Sequence, residues 1–77
     1  MKQTGVVIFA KCFDPDCGFT PTQFLEALKG AGHRARINAA GDPGMDWDVE
    51  GEEGSPENID LLRAARDIFN DLYDTAQ

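Results

Sequence analysis

Residues 4–10, Thr-Gly-Val-Val-Ile-Phe-Ala, form an unbroken apolar run rich in β-branched side chains. Such a run predicts a strand buried on both faces, at the centre of a sheet rather than at its edge. Residues 11–19 follow as a loop with a turn signal at Asp14-Pro15. A helix then starts with complete local chemistry. Thr20 stands at the N-cap, Pro21 at the first helical position, and Gln23 where a capping box needs it. Phe19 and Phe24 flank this start at the spacing of a hydrophobic staple. Phe24, Leu28 and Ala31, supported by Leu25 and Ala27, make the apolar stripe, and Gly30 and Gly32 predict its end.

Alternation returns at His33–Asn38, where Arg34 and Arg36 share one face and Ala35 and Ile37 the other. Asp42-Pro43-Gly44 predicts a type II turn. Met45–Glu50 alternates again, with Trp47 and Val49 one way and Asp46, Asp48 and Glu50 the other. These two segments are expected to pair as an antiparallel hairpin. That pairing would set acids against Arg34 and Arg36, at roughly 0.2–1 kcal/mol per cross-strand pair. After a flexible Gly51–Gly54 link, Ser55 caps a second helix with Pro56 and Glu57 in its first turn. Leu61, Leu62, Ala65, Ile68, Phe69, Leu72 and Tyr73 recur at helical spacing as a wide core stripe, opposite Asp60, Asp67, Asp71 and Asp74.

The order strand, helix, strand, strand, helix predicts one α+β domain over residues 1–77. A βαββα chain of this kind gives a three-stranded mixed sheet with both helices on one face. The open face would carry Arg34, Arg36 and the acids of the third strand. A chain of 77 residues is near the lower limit for a core without staples, but its 42% hydrophobic content and seven aromatics suffice for a small one.

Charge changes the picture more than composition does. The net charge is −7, yet residues 1–36 hold five bases and three acids, while residues 37–77 hold two bases and eleven acids. Between Asp42 and Asp60 eight acids occur with no Lys or Arg. A surface of this sign repels nucleic acid and anionic membranes and attracts basic proteins or cations. No apolar segment approaches the roughly 20 residues of a membrane span. The N-terminal apolar run stops at Lys11, too early for a secretory signal, and two cysteines are too few for a disulfide scaffold. A cytoplasmic protein with reduced thiols is expected.

Three groups of residues could carry chemistry. Asp46, Asp48, Glu50, Glu52, Glu53 and Glu57, extended by Asp60, Asp67, Asp71 and Asp74, make an acidic surface. It could occupy phosphate sites on a basic, nucleic-acid-handling protein, with Trp47 as an anchor if exposed. The chain shares size and charge, though no motif, with small acidic inhibitors such as those phages use against host defences. Asp71 and Asp74 oppose the macrodipole at the end of their helix, and Arg63 is spaced to offset only Asp60 and Asp67. Unfavourable charge on a small fold points to a use outside it.

The second group is Asp46, Asp48, Glu50, Gly51 and Glu57, which matches positions 1, 3, 5, 6 and 12 of a calcium loop. Glu53 at a usually apolar position, Pro56 at the exit and no entering helix weaken the match. The third is Cys12 and Cys17 with Asp14, Asp16 or His33, whose spacing lacks the second cysteine pair of a zinc site. The neighbouring acids also disfavour a reactive thiolate. With one histidine and no nucleophile–base pair, an enzyme is not expected, and no cofactor is implied. An acidic interaction module is the leading expectation. The alternatives are a divalent-cation module at Asp46–Glu57 and a salt-insensitive adaptor binding through Met45, Trp47 and other apolar surface. An open sheet edge could also recruit a second copy.

Overall fold

The computed structural model describes residues 4–40 and 44–76, the side chain of Pro15 excepted. Asp42 and Pro43 of the turn expected at Asp42-Pro43-Gly44 lie outside the described residues, and Gly44 has φ +82. The elements are β1 (Gly5–Phe9), a single 3-10 turn (Pro15–Cys17), α1 (Pro21–Gly30), β2 (Ala35–Asn38), β3 (Trp47–Glu50) and α2 (Pro56–Ala76). They form the expected small α+β domain: a three-stranded mixed sheet with two helices.

The strand order corrects the expected hairpin. β1 lies in the centre, parallel to β2 on one side and antiparallel to β3 on the other. All five residues of β1 are buried, and a strand that must be covered on both faces is best placed between two neighbours. Connection length allows this. The eight residues between β2 and β3 exceed the two to five typical of a tight hairpin and readily cross two strand spacings of about 4.8 Å. The outer strands are also shorter than their alternation predicted, at four residues each.

Alternation assigns the faces as expected. Val6 and Ile8 of β1 join Phe13, Phe19, Phe24, Leu28, Leu61 and Ala65 in one cluster beneath the helices, with Ala35, Ile37, Trp47 and Val49 packed against it. Its middle is aromatic. Phe24, fully buried on α1, and Phe69 of α2 each meet Phe13, Phe19 and Trp47, with ring centroids 5.1–6.5 Å apart, most of them edge to face. Such pairs add about 0.5–1.5 kcal/mol beyond the area they bury. The stripe on α2 is narrower than its sequence implied. Leu61 and Ala65 are buried and Ile68, Phe69 and Leu72 half-buried, but Tyr73 is 44% exposed.

Helix ends follow their local chemistry. The Gln23 N–H donates to Thr20 Oγ1 at 3.2 Å and the Thr20 N–H donates to Gln23 Oε1 at 2.8 Å, closing the capping box. At the other end the Gly32 N–H donates to the Lys29 carbonyl and the His33 N–H to the Leu28 carbonyl, both at 3.0 Å. This is a Schellman cap, and its left-handed residue is Gly32 at φ +88. Ser55 caps α2 by accepting from the Asn58 N–H at 3.1 Å. The Gly51–Gly54 link is an ordered turn, closed by Ser55 N–H donating to the Glu52 carbonyl at 3.2 Å.

The far end of α2 rests on the loop after β1. Gly18 has φ +91, and a Cβ built there would lie 2.6 Å from Ala76 Cβ. Gly18→Ala should therefore cost about 1–2 kcal/mol for the backbone alone, and more for displacing the last turn of α2. Adding Ala76→Gly should return the second part and leave the first. Urea midpoints of the two single variants and the double variant check this; additive effects would mean the two ends do not touch.

Candidate functional site

The acids do not form one flat patch. Asp48 and Glu50 project from β3 onto the helix-free face, because Trp47 and Val49 take the core side. Glu52 and Glu53 are exposed in the turn that leads to α2. Glu57, Asp60, Asp67, Asp71 and Asp74 are exposed on α2, which packs on the opposite face. The acids thus follow a band from the open sheet face, around the Glu52–Glu53 turn, and along the outside of α2. Asp60 to Asp74 spans about 21 Å at 1.5 Å per residue, the axial length of about six nucleotides of one strand.

Neutralisation inside the fold is sparse. Among the described residues the one ion pair joins Arg36 and Glu50, with Arg36 Nε donating to Glu50 Oε2 at 2.9 Å and Nη2 donating to Oε1. These residues sit on the two outer strands, so the pair spans β1. In the register Arg36 and Asp48 flank Val7, and Glu50 stands opposite Gly5. Gly5 has no side chain, and a Cβ there would lie 3.3 Å from the Arg34 Cβ and carbonyl oxygen. Val7 is only 4% exposed although no helix covers its face, which fits a long side-chain bridge lying over it. The Arg36 pKa is raised, first by this hydrogen bond and then by the Glu50 charge.

The sequence placed acids near Arg36 through the wrong strand pairing. The contact forms because two outer strands with the same outward phase lie on either side of a narrow central one. Arg63, by contrast, makes no ion pair with Asp60 or Asp67 among the described residues. Exposed charges three or four residues apart gain little from holding one geometry.

The calcium-loop spacing does not produce a loop. Residues 47–50 are extended, Asp48 and Glu50 face the helix-free side, and Glu57 lies in the first turn of α2. Among the described residues no group of three or more His, Cys, Asp or Glu converges as a metal site. Cys17 is buried and its Sγ–H donates to the Phe19 carbonyl at 3.2 Å, while Cys12 is half-buried and unbridged. Trp47 is half-buried against Phe24 and Phe69, which makes it part of the core margin rather than a projecting anchor. Ile59 (42% exposed), Tyr73 and Met45 are instead the exposed large apolar side chains. Helical spacing alone hid the exposure of Tyr73.

One concave surface was not foreseen from the sequence. A groove of about 720 Å³ is lined by Val7 and Phe9 of β1, by Arg36 and Asn38 of β2, by Asp48, Glu50 and Glu53, and by Asn58 and Leu62 of α2. No helix among the described residues is long and apolar enough to cross a membrane. Compared with known proteins, the chain matches no family model, no curated protein and no solved structure. The fold and its charge pattern define the class: a small α+β domain with an acidic band around one side.

Two predictions follow the geometry. Arg36→Glu and Glu50→Arg should each lower the denaturant midpoint, and the double exchange should recover most of the loss, less completely at high salt. Full loss in the double variant would show that the side chains act separately. Millimolar calcium should shift Tm no more than sodium chloride of equal ionic strength, since the strand splays the candidate ligands. A specific calcium-induced rise, abolished by Glu57→Gln, would reverse this reading.

Proposed function

We propose that this protein is an acidic interaction module that binds a basic, nucleic-acid-handling protein and occludes its phosphate sites. The observation that carries this reading is the scarcity of internal neutralisation among the described residues. Asp46, Asp48, Glu52, Glu53, Glu57, Asp60, Asp67, Asp71 and Asp74 have no cationic partner among the described residues. Asp71 and Asp74 stand near the C-terminal end of α2, whose last turn has no base, so they oppose the macrodipole without compensation. A basic partner relieves both penalties at once. Carboxylates strung along a rigid helix meet its Arg and Lys side chains with the charge a nucleic-acid strand would bring.

A second reading, an adaptor that docks through apolar surface, is favoured by the exposed Ile59 and Tyr73 on α2. Salt separates the two. Partners captured from nuclease-treated lysate of the natural host at low salt should include a basic protein that elutes as salt rises and is displaced by nucleic acid. Asp60→Lys, Asp67→Lys, Asp71→Lys and Asp74→Lys together should abolish its capture while the circular dichroism spectrum is unchanged. Capture that survives high salt, or that the four reversals leave intact, would move the adaptor reading ahead.

A further inference from the structure

Among the described residues no strand lies on the outer edge of β3, and its surroundings state what would fill it. The Phe9 N–H donates to the Asp46 carbonyl at 2.9 Å, which fixes the ladder phase. Asp46, Asp48 and Glu50 therefore direct their backbone groups to β1, and Trp47 and Val49 turn theirs outward. Among the described residues a local device covers that edge: the Val49 N–H donates to Asp48 Oδ1 at 2.8 Å. A charged side chain folded over an edge donor is a common guard against unwanted pairing.

The layers leave room beside it. Three strands span about 14 Å, whereas two helices packed side by side need about 20 Å. α1 packs on β1 and β2, and α2 on β1 and β3, so the excess width lets α2 reach past β3. The groove crosses the open face from Arg36 and Asn38 of β2 and reaches both sides of β3, with Asp48 and Glu50 on the open face and Val49 and Leu62 on the helix side. A fourth strand at about 4.8 Å would bring the sheet to the width of the helix layer. A second folded copy fits poorly there, because its own helices would meet α2 and its own acids would repel these.

We propose that the β3 edge accepts one extended segment of the partner, as an added strand in which basic and apolar residues alternate. Side chains on the open face would meet Asp48 and Glu53, beside the Arg36–Glu50 pair. Those on the helix side would rest on Leu62 and Val49. Main-chain hydrogen bonds to Trp47 and Val49 supply affinity, and alternation supplies specificity. The incoming strand displaces the Asp48 carboxylate from the Val49 N–H and frees it for a basic side chain. This inference rests on the acidic-module reading and specifies how one part of the band is used.

The test uses a capped heptapeptide alternating Lys and Val, its isomer with Lys and Val in separate blocks, and two N-methylated forms of the alternating peptide. One form is methylated on every Val amide and the other on every Lys amide. Amide shifts of the full chain are followed on titration at fixed salt. The alternating peptide should bind at least tenfold more tightly than the block isomer, with the largest shifts at Trp47–Glu50 and Leu62. One methylated form should lose binding and the other keep it, since only alternate amides face β3. Equal affinity of the two isomers, equal tolerance of both methylations, shifts confined to the α2 acids, or no binding would each overturn the strand addition. Shifts confined to the α2 acids would leave the acidic-module reading standing. A self-association of the free protein that maps to the β3 edge would give that edge to a second copy instead and overturn the proposal.

Discussion

The structure depends on covering β1 from both sides. Val6 and Ile8 meet the aromatic cluster under the helices, and Val7 and Phe9 face the other way yet are only 4% and 8% exposed. A strand this apolar cannot lie at an edge without exposing one row of side chains to water, at about 25 cal/mol for each Å² left uncovered. Central placement of β1 dictates the rest. It puts β2 and β3 on opposite sides, brings Arg36 and Glu50 to either flank of one narrow strand, and leaves two four-residue edges.

The same constraint governs the surface. Helices over one face commit Trp47, Val49, Ala35 and Ile37 to the core, so every charge on the outer strands must take the open face. Seven bases cannot neutralise fourteen acids. One of the bases, Arg36, is spent on Glu50, which leaves the acidic band unbalanced. Function on this reading is a consequence of scale. A domain this small has much surface on which to arrange charge.

The β3 edge joins the two themes. A three-stranded sheet under two helices is narrower than its cover, and the mismatch falls beside the strand with the most acids. Asp48 therefore has two roles in the folded chain, shielding an edge donor and charging the groove. An added strand would exchange the first role for the second. Attraction along the band and register along the edge are separable contributions, one falling with salt and the other with loss of backbone donors.

Local chemistry was legible in the sequence wherever it involves residues close along the chain. The Thr20–Gln23 capping box, the glycine cap at Gly32, the Ser55 cap and the inward phase of Trp47 and Val49 all follow from spacing alone. So did the acid-rich surface, because charge is a property of composition. Partnership was decided by tertiary structure. Two short alternating segments can pair with each other or with a third, and only the burial demanded by β1 and the length of the connection select between these. Arg36 found Glu50 across an intervening strand, Arg63 makes no ion pair with Asp60 or Asp67 among the described residues, and Tyr73 kept its helical spacing but lost its cover. The reason is common to all three: periodicity reports which way a side chain points, and only packing determines what stands there.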